Sequence, residues 1–230
     1  MRTAHPNVIF LSEAFTRPKV MCTLAKLGFS QSYTYFTWRN TKRELTVYLS
    51  ELTAPPVSEF FRPHFFGNTP YINPPFLRTS GRARFLIRAA LAATLSGLWG
   101  IYSRFELHEA EALPGCEEYL NSEKYGIKHR NWNAPGNIIG EISQLNRLRR
   151  AESALQSHLG LSFYNAFNEH ILYYGKAASG QHDWILVAVS LDPHNAQEAD
   201  FEIPRWKWGL PDHGSLEVED LFHASFLLAG

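Results

Sequence analysis

The amino-acid sequence predicts an α/β fold: the second half of a (β/α)8 barrel, with about four strand-helix units, followed by part of an antiparallel β-sandwich. Up to about residue 150, strand-like and helical segments alternate, an order that favours a parallel sheet with crossover helices. After about residue 155, short alternating or aromatic-rich runs are separated by Asn, Gly and Asp, which is typical of antiparallel strands. We therefore divide the chain into a half-barrel domain, residues 1–154, and a partial all-β domain, residues 155–230.

The first predicted strand lies in NVIFLSEAFT, where four apolar residues run directly into Ser12 and Glu13. Such a run is consistent with a strand covered on both faces, and its periodicity alone does not exclude a buried helix. If it is a strand, Glu13 lies at the carboxyl end, where barrel enzymes place their catalytic side chains. The following RPKVMCTLAKLGF predicts a short helix, with Val20, Leu24 and Leu27 at helical spacing.

The second and third units follow the same order. QSYTYFTWRN has the aromatic and β-branched composition of a strand, and Thr41 with Glu44 forms a capping box ahead of the helical LTVYLSEL. FFRPHFFGNTP is the third strand-like segment, and the Ala- and Leu-rich RARFLIRAALAATLSG predicts a helix closed by Gly97.

The fourth unit begins with GLWGIYSRFEL, an apolar strand that contains glycine. A long loop from about Glu109 to Pro135 comes next, and GNIIGEISQLNRLRR predicts a helix with a basic last turn. The all-β region then contains LSFYNAF, HILYYGKA and DWILVAVSL, and the chain ends in the apolar run of SLEVEDLFHASFLLAG. We expect a chain cut at both ends, with strand edges and apolar faces that need covering.

The composition excludes several classes of function. Lys plus Arg equals Asp plus Glu, at 22 each, so no basic field is available to attract a nucleic acid or an acidic membrane surface. Cys22 and Cys116 lie far apart without metal-ligand spacing, and His64 and His108 lack a second ligand at helical or turn spacing, so we predict no metal site. The amino terminus has no signal region, and we expect a soluble cytoplasmic chain.

Several aromatic residues at strand ends and in loops have rings able to stack on sugars, and we interpret them as packing residues. They are Trp38, Trp99, Tyr102 and Trp132.

Four segments in order carry a resemblance to a known family. They are VIFLSEAFTRPKVMCTLAKLGFSQSYTYFTWRNTKRELTVYL, FFGNTPYINP, FLIRAALAATLSGLWGIYSRFEL and LPGCEEYLNSEKYGI. Together they resemble the carboxyl-terminal portion of the bacterial maltosyltransferases that extend α-1,4-glucans from maltose 1-phosphate, within the α-amylase superfamily. The resemblance covers nearly the whole chain and is strongest from about residue 7 to about residue 150.

This resemblance implies a retaining transferase, built on a (β/α)8 barrel followed by a β-sandwich, that uses three carboxylates and no metal or organic cofactor. An aspartate after the fourth strand is the nucleophile, a glutamate after the fifth is the general acid and base, and an aspartate after the seventh stabilises the transition state. Glu13 matches the glutamate, and Lys124 with Tyr125 matches the pair that contacts the donor sugar. The implied partners are maltose 1-phosphate and an α-1,4-glucan, and also a missing amino-terminal part or a second copy of the chain.

Two of the family's carboxylates are not in this chain. The nucleophile would precede Met1, and Tyr71 stands in NTPYINP where the family has its transition-state aspartate. The side chain of tyrosine is larger and carries no negative charge at neutral pH. The isolated chain is therefore predicted to be inactive.

Two alternatives remain open from the sequence. One is a degenerate, non-catalytic remnant that binds glucan or docks onto a partner. The other is an ordinary α-amylase-type hydrolase, which the SEKY and NTP motifs do not favour.

Overall fold

The computed structural model describes residues 3–79, 81–178 and 184–222, and the backbone alone of residues 225–229. Its first part contains a parallel sheet with the strand order β1-β2-β3-β4, as the alternating pattern predicts. The residue pairs Leu11 with Gln31 and His64 with Leu98 set the register between neighbouring strands. The strands are β1 (Leu11–Ser12), β2 (Gln31–Tyr33), β3 (Pro63–Phe66) and β4 (Leu98–Gly100).

Helices connect successive strands, so the predicted crossover arrangement is confirmed. Helix α1 lies between β1 and β2, α2 and α3 lie between β2 and β3, and α4 and α5 lie between β3 and β4. The helices are α1 (Pro18–Lys26), α2 (Lys42–Thr53), α3 (Val57–Phe60), α4 (Pro75–Arg78), α5 (Arg82–Leu95) and α6 (Ile139–Ala151). None of the helices in the described ranges is long and apolar enough to cross a membrane.

The strand predicted over QSYTYFTWRN is only three residues long. It gives way to a 3-10 turn, Tyr35–Trp38, because the Thr34 hydroxyl accepts a hydrogen bond from the Phe36 amide and so caps the turn. The next prediction is confirmed: Thr41 and Glu44 form both hydrogen bonds of the capping box at the start of α2.

Helix α1 packs through a different stripe from the one that the sequence spacing singles out. Met21 and Ala25 are buried, whereas Val20 is 46% exposed and Leu27 is 75% exposed. Helical spacing predicts the helix itself correctly. Two of its faces carry apolar residues, however, and packing against the neighbouring elements determines which face is buried.

The second part contains an antiparallel sheet with the order β5-β6-β7, which confirms the change of pattern after residue 155. A separate two-stranded hairpin follows. The strands are β5 (Leu161–Phe163), β6 (Ile171–Ala177), β7 (Trp184–Ser190), β8 (Leu216–Asp220) and β9 (Ser225–Ala229).

One hydrophobic cluster joins the two sheets. In its centre the rings of Phe36 and Phe65 stack at 4.3 Å between centroids. Leu172 and Tyr174 of β6 belong to the same cluster, and the Tyr174 hydroxyl lies 2.5 Å from the hydroxyl of Thr94 in α5. Helix α5 therefore packs against the parallel sheet and against the antiparallel sheet.

Arg149, in the last turn of α6, holds the carboxyl end of α5. Its guanidinium donates to the carbonyl of Ala93, to those of Ser96 and Gly97 at 2.7 Å each, and to that of Leu155 at 3.1 Å. The positive charge suits the carbonyl end of a helix, where the dipole is negative. This side chain connects α5, the entry to β4, and the segment that leads to β5.

We predict that Arg149→Gln lowers the free energy of unfolding by about 2 to 4 kcal/mol, because it removes several charge-assisted hydrogen bonds that satisfy carbonyls at a helix end. Urea unfolding followed by circular dichroism measures this. Arg150→Gln is the matched control: its guanidinium is exposed, and we expect a change within about 0.5 kcal/mol. Equal losses in the two variants would contradict the role given to Arg149.

Candidate functional site

The carboxyl ends of the four parallel strands bring polar residues to one edge of the sheet. Glu13 directly follows β1, and Tyr33 is the last residue of β2. Asn68 follows β3, and Tyr102 follows β4. Glu13 therefore follows a strand end, as the sequence predicts, at the edge of the sheet where parallel α/β folds place catalytic side chains.

Glu13 is exposed and lies close to the phenol of Tyr33. Burial, and then the negative charge of Glu13, raise the pKa of Tyr33. The Tyr33 ring also packs against Phe15 at 5.9 Å and against Phe66 at 4.7 Å between centroids. The carboxylate therefore lies at the rim of an aromatic surface that three consecutive strand ends build.

An aromatic contact connects this rim to the long loop after β4. The ring of Trp38 meets Phe15 edge-on at 5.3 Å, and its Nε1 donates to both carboxylate oxygens of Glu117, at 3.2 and 3.3 Å. Glu117 also lies 3.9 Å from the guanidinium of Arg78. Trp38, which the sequence predicts as a packing residue, is half-buried and contributes its ring nitrogen to this polar contact.

Tyr71 and Lys124 are in direct contact. The Lys124 Nζ lies 4.2 Å from the centre of the Tyr71 ring and 3.5 Å from a carboxylate oxygen of Glu118. The Lys124 side chain is 18% exposed, and Tyr71 is 49% exposed. The ammonium group is thus held between an aromatic face and a carboxylate, which is a favourable cation-π geometry.

A tight turn after β3 positions Tyr71. The Thr69 hydroxyl accepts hydrogen bonds from the amides of Tyr71 at 3.2 Å and Ile72 at 3.0 Å. The amide of Asn73 then donates to the Glu117 carbonyl at 2.7 Å, which ties this turn to the loop that contains Lys124. The NTP motif therefore determines the backbone path that brings these two segments together.

Asn68 connects three segments of the site from a fully buried position. Its Oδ1 accepts from the Tyr102 amide at 2.7 Å, and its Nδ2 donates to the Tyr119 hydroxyl at 2.7 Å. Burial raises the pKa of Tyr119 well above the ordinary range of a phenol. The sequence analysis did not identify Asn68 as a site residue. The available signal was its amide side chain just after the strand in FFGNTP.

The segment with Lys124 begins at Ser122, whose hydroxyl accepts from the Lys124 amide and caps the 3-10 turn Glu123–Tyr125. Arg130 lies 3.5 Å from the carboxylate of Glu123 and 3.4 Å from that of Glu109. These ion pairs hold the loop across its base. Tyr125 occupies the last position of the turn, and its side chain lies outside the described part of the structure.

The structure brings the predicted residues to one edge of the sheet in two groups. Tyr71 and Lys124 touch each other, whereas Glu13 is linked to them indirectly, through Phe15, Trp38 and the loop at residues 117–118. The sequence analysis did not identify Glu117 and Glu118, the acidic pair of CEEY, as site residues. Their position shortly before SEKY was the available signal.

The other aromatic and histidine candidates have different surroundings. Trp99 packs in the core, Tyr102 is half-buried at the site, and Trp132 is 45% exposed, so the prediction that Trp132 packs internally is wrong. Trp132 lies in the irregular loop between β4 and α6. Among the described residues, no group of three or more His, Cys, Asp and Glu side chains is arranged to hold a metal ion.

His64 faces the same side of the sheet as Gln31, whose Oε1 lies 3.0 Å from His64 Nδ1. Burial lowers the pKa of His64 to about 4. The imidazole is therefore neutral at physiological pH, and it belongs to the layer beneath the carboxyl ends of the strands.

Comparison with known proteins finds relatives that match nearly the whole chain. A family described as "GLGE, C-terminal" matches residues 163–226. The α-1,4-glucan:maltose-1-phosphate maltosyltransferase of Pseudomonas aeruginosa is 62% identical over 97% of the chain, and that of Cereibacter sphaeroides is 51% identical over 98%. The chain spans about a third of the length of these relatives, 34% in each case, and matches the carboxyl-terminal segment of the enzyme.

Solved structures of the α-amylase family share the fold. A maltogenic α-amylase from Thermotoga neapolitana aligns with 99% of this chain at a TM-score of 0.62 and 14% identity. An Anoxybacillus α-amylase aligns with all of it at a TM-score of 0.68 and 11% identity. The chain covers 51% and 49% of these two proteins, and the likeness concerns the fold alone.

We predict that the free energy of unfolding decreases as the pH falls from about 6.5 towards 4, in part because of His64. The unfolded chain binds a proton on this histidine over that range and the folded chain does not, so acid favours unfolding. Urea titrations at a series of pH values measure the slope, which should be smaller in His64→Gln. His213→Gln, at an exposed position, is the control and should leave the slope unchanged.

Proposed function

We propose that this chain is the carboxyl-terminal segment of an α-1,4-glucan:maltose-1-phosphate maltosyltransferase. That enzyme moves a maltosyl group from α-maltose 1-phosphate to the non-reducing end of an α-1,4-glucan and releases phosphate. The observation that carries this proposal is the 62% identity to the Pseudomonas aeruginosa enzyme over 97% of the chain. Because the chain spans only 34% of that relative, the activity belongs to a larger assembly that contains this segment.

The four parallel strands are proposed to be strands five to eight of a (β/α)8 barrel. Both β1 and β4 have one neighbour in the described sheet, so each offers an edge on which a further strand can pair. We propose residues 1–154 as the half barrel and residues 155–230 as part of the β-sandwich domain. The missing half comes either from preceding residues of a longer chain or from a separate polypeptide.

Exposed apolar side chains on the face of the sheet that would line the barrel interior support this assembly. Leu11 is 58% exposed, Leu98 is 41% exposed, and both lie in register with the polar pair Gln31 and His64 on that face. Barrel interiors are filled by layers of side chains from alternate strands. Strands one to four would supply the partners that complete these layers.

Glu13 is proposed as the general acid and base. As an acid it protonates the phosphate oxygen that leaves the donor, while the upstream aspartate attacks the sugar carbon to form a glycosyl ester. As a base it then takes the proton from the acceptor's 4-hydroxyl, whose oxygen displaces the aspartate with net retention. Its exposed position at a strand end, beside the aromatic rim of Phe15, Tyr33 and Phe66, leaves it accessible to both substrates.

Lys124 and Tyr125 are proposed as contacts to the maltosyl group. In this chain Tyr71 occupies the position of the aspartate that would stabilise positive charge on the sugar, and its ring lies against the Lys124 ammonium. A neutral phenol cannot supply that charge. We propose that the native chain is poorly active even when the barrel is complete.

Two further features belong to the proposal. A cytoplasmic location agrees with the free thiols of Cys22 and Cys116. The identity to named transferases favours transfer over the remnant and hydrolase alternatives, since the α-amylase structures match at 14% identity or less and share the fold alone.

A hybrid protein tests the catalytic assignment. The residues of the Pseudomonas aeruginosa enzyme that precede the matched region are fused to this chain, and phosphate release from α-maltose 1-phosphate is followed with a malto-oligosaccharide acceptor. Tyr71→Asp in the hybrid should raise the rate by roughly a hundredfold, because a charge-stabilising group is restored. Adding Glu13→Gln should then lower it by roughly a hundredfold or more.

Glu51→Gln, at an exposed position of α2, is the matched control for Glu13→Gln and should not change the rate. A folded Tyr71→Asp hybrid that releases no phosphate would contradict the proposal. Equal rates for the Glu13→Gln and Glu51→Gln hybrids would contradict the role of Glu13.

Donor-sugar binding by the 230-residue chain itself tests Lys124. Maltose should raise the midpoint of thermal unfolding, because a ligand that binds only the folded state stabilises it. We expect the shift measured by calorimetry to be smaller in Lys124→Met than in the native chain. Lys128→Met, at an exposed position of the same loop, is the control, and an equal loss in both variants would point to a general charge effect.

A further inference from the structure

A cleft of about 260 Å³ opens at the amino ends of β3 and β4, the opposite end of the sheet from Glu13. Its walls come from the start of these two strands and from the segment between α6 and β5. Its lining includes Arg62, Gly97, Gln156, Ser157, His158 and Leu159.

The charge of the cleft is positive. Its positive charge comes from Arg62, an exposed residue whose guanidinium also donates to the carbonyls of Ser58 and Phe61, and no carboxylate belongs to the lining in the described part of the chain. Behind the wall lie Arg149 and the fully buried Lys176, whose pKa is lowered to about 7 by burial and then by the charge of Arg149. Neither they nor Arg62 form an ion pair with an acidic residue within residues 3–79, 81–178 and 184–222.

His158 supplies an unused polar atom. The residue is 5% exposed, and its Nε2 has no hydrogen-bond partner among the described residues. Burial, and then the charges of Arg62 and Lys176, lower the pKa of His158 to about 4. The imidazole is therefore neutral at physiological pH, and an anion bound beside it would favour the protonated ring.

The walls are fixed by the fold rather than by flexible side chains. A Cβ on Gly97 would lie 2.4 Å from the Gln156 carbonyl oxygen, so only glycine allows these two backbones to approach this closely. Lys176 Nζ donates to the carbonyls of Ser157 at 2.7 Å and Leu159 at 2.6 Å, which holds the other wall. A preformed wall lowers the entropic cost of binding a ligand.

A second cleft adjoins the first across Gln156. It has about 530 Å³ and is lined also by Asn146, Arg149 and Arg150. Its lining too contains no carboxylate in the described part of the chain. The smaller cleft lies just below the volumes of about 300 Å³ and more that accept small organic ligands, which suits an inorganic anion or the anionic end of a small molecule.

We propose that the cleft between Arg62 and His158 is a binding site for a phosphate group, either inorganic phosphate or a small phosphate monoester whose organic part extends past Gln156. Arg62 binds the phosphate oxygens as a cationic donor, and His158 donates from Nε2 once protonated. The site is separate from the edge that contains Glu13, Tyr71 and Lys124, and the inference does not depend on the proposed transfer reaction.

Titration of the 230-residue chain with inorganic phosphate tests the proposal. Calorimetry at constant ionic strength, with sodium chloride replacing phosphate in the reference series, separates a site from charge screening. Phosphate should raise the unfolding midpoint, and Arg62→Gln should weaken the apparent affinity by about tenfold or more. Arg43→Gln, an exposed arginine of α2, is the matched control and should bind as the native chain does.

A readout on the native chain does not depend on the folding of any variant. In ¹⁵N-histidine spectra, phosphate should shift the ring resonances of His158 and raise its pKa, because the bound anion favours the imidazolium. Glycerol phosphate in place of phosphate, added to the chain labelled uniformly with ¹⁵N, distinguishes the two ligand sources: additional amide shifts near Arg150 indicate an ester that enters the second cleft. Equal midpoint shifts with chloride and phosphate, or a His158 signal that phosphate leaves unchanged, would overturn the proposal.

Discussion

The fold depends on the way in which the carboxyl end of α5 is held. This helix packs against both sheets, and it ends where β4 must begin. Its last carbonyls would be left unpaired in a crowded region, and Arg149 of α6 satisfies carbonyls from the helix end, from the entry to β4 and from the approach to β5. A single delocalised cation therefore ties α6 to the end of α5, to the entry of β4 and to the segment that leads to the antiparallel sheet.

The two ends of the parallel sheet differ in their chemistry. The carboxyl ends of the strands carry acidic and aromatic groups, with Glu13, Glu117 and Glu118 among the aromatic rings. The amino ends carry cations that no acidic side chain of the described residues neutralises, and Arg62 is among them. Because parallel strands all run in one direction, groups that follow strands and groups that precede them are collected at opposite ends of the sheet.

The loop after β4 is organised by polar contacts rather than by regular structure. Asn68 anchors it to the end of β3, and Arg130 joins Glu109 to Glu123 across its base. The position of Lys124 follows from these contacts, and the ring of Tyr71 then occupies the space beside its ammonium. The ammonium of Lys124 therefore faces an aromatic ring on one side and the carboxylate of Glu118 on the other.

The sequence alone determined the order of strands and helices, the parallel and antiparallel halves, the capping box of α2 and the strand-end position of Glu13. These features depend on local periodicity, capping chemistry and motif order, which neighbouring residues encode. Tertiary structure decided which stripe of α1 is buried, the shortening of β2 at Thr34, the exposure of Trp132, and the contacts of Glu117 and Asn68. Each of these outcomes depends on a partner that lies far away along the chain, such as Trp38 for Glu117, and only the folded packing brings such partners within a few ångströms of one another.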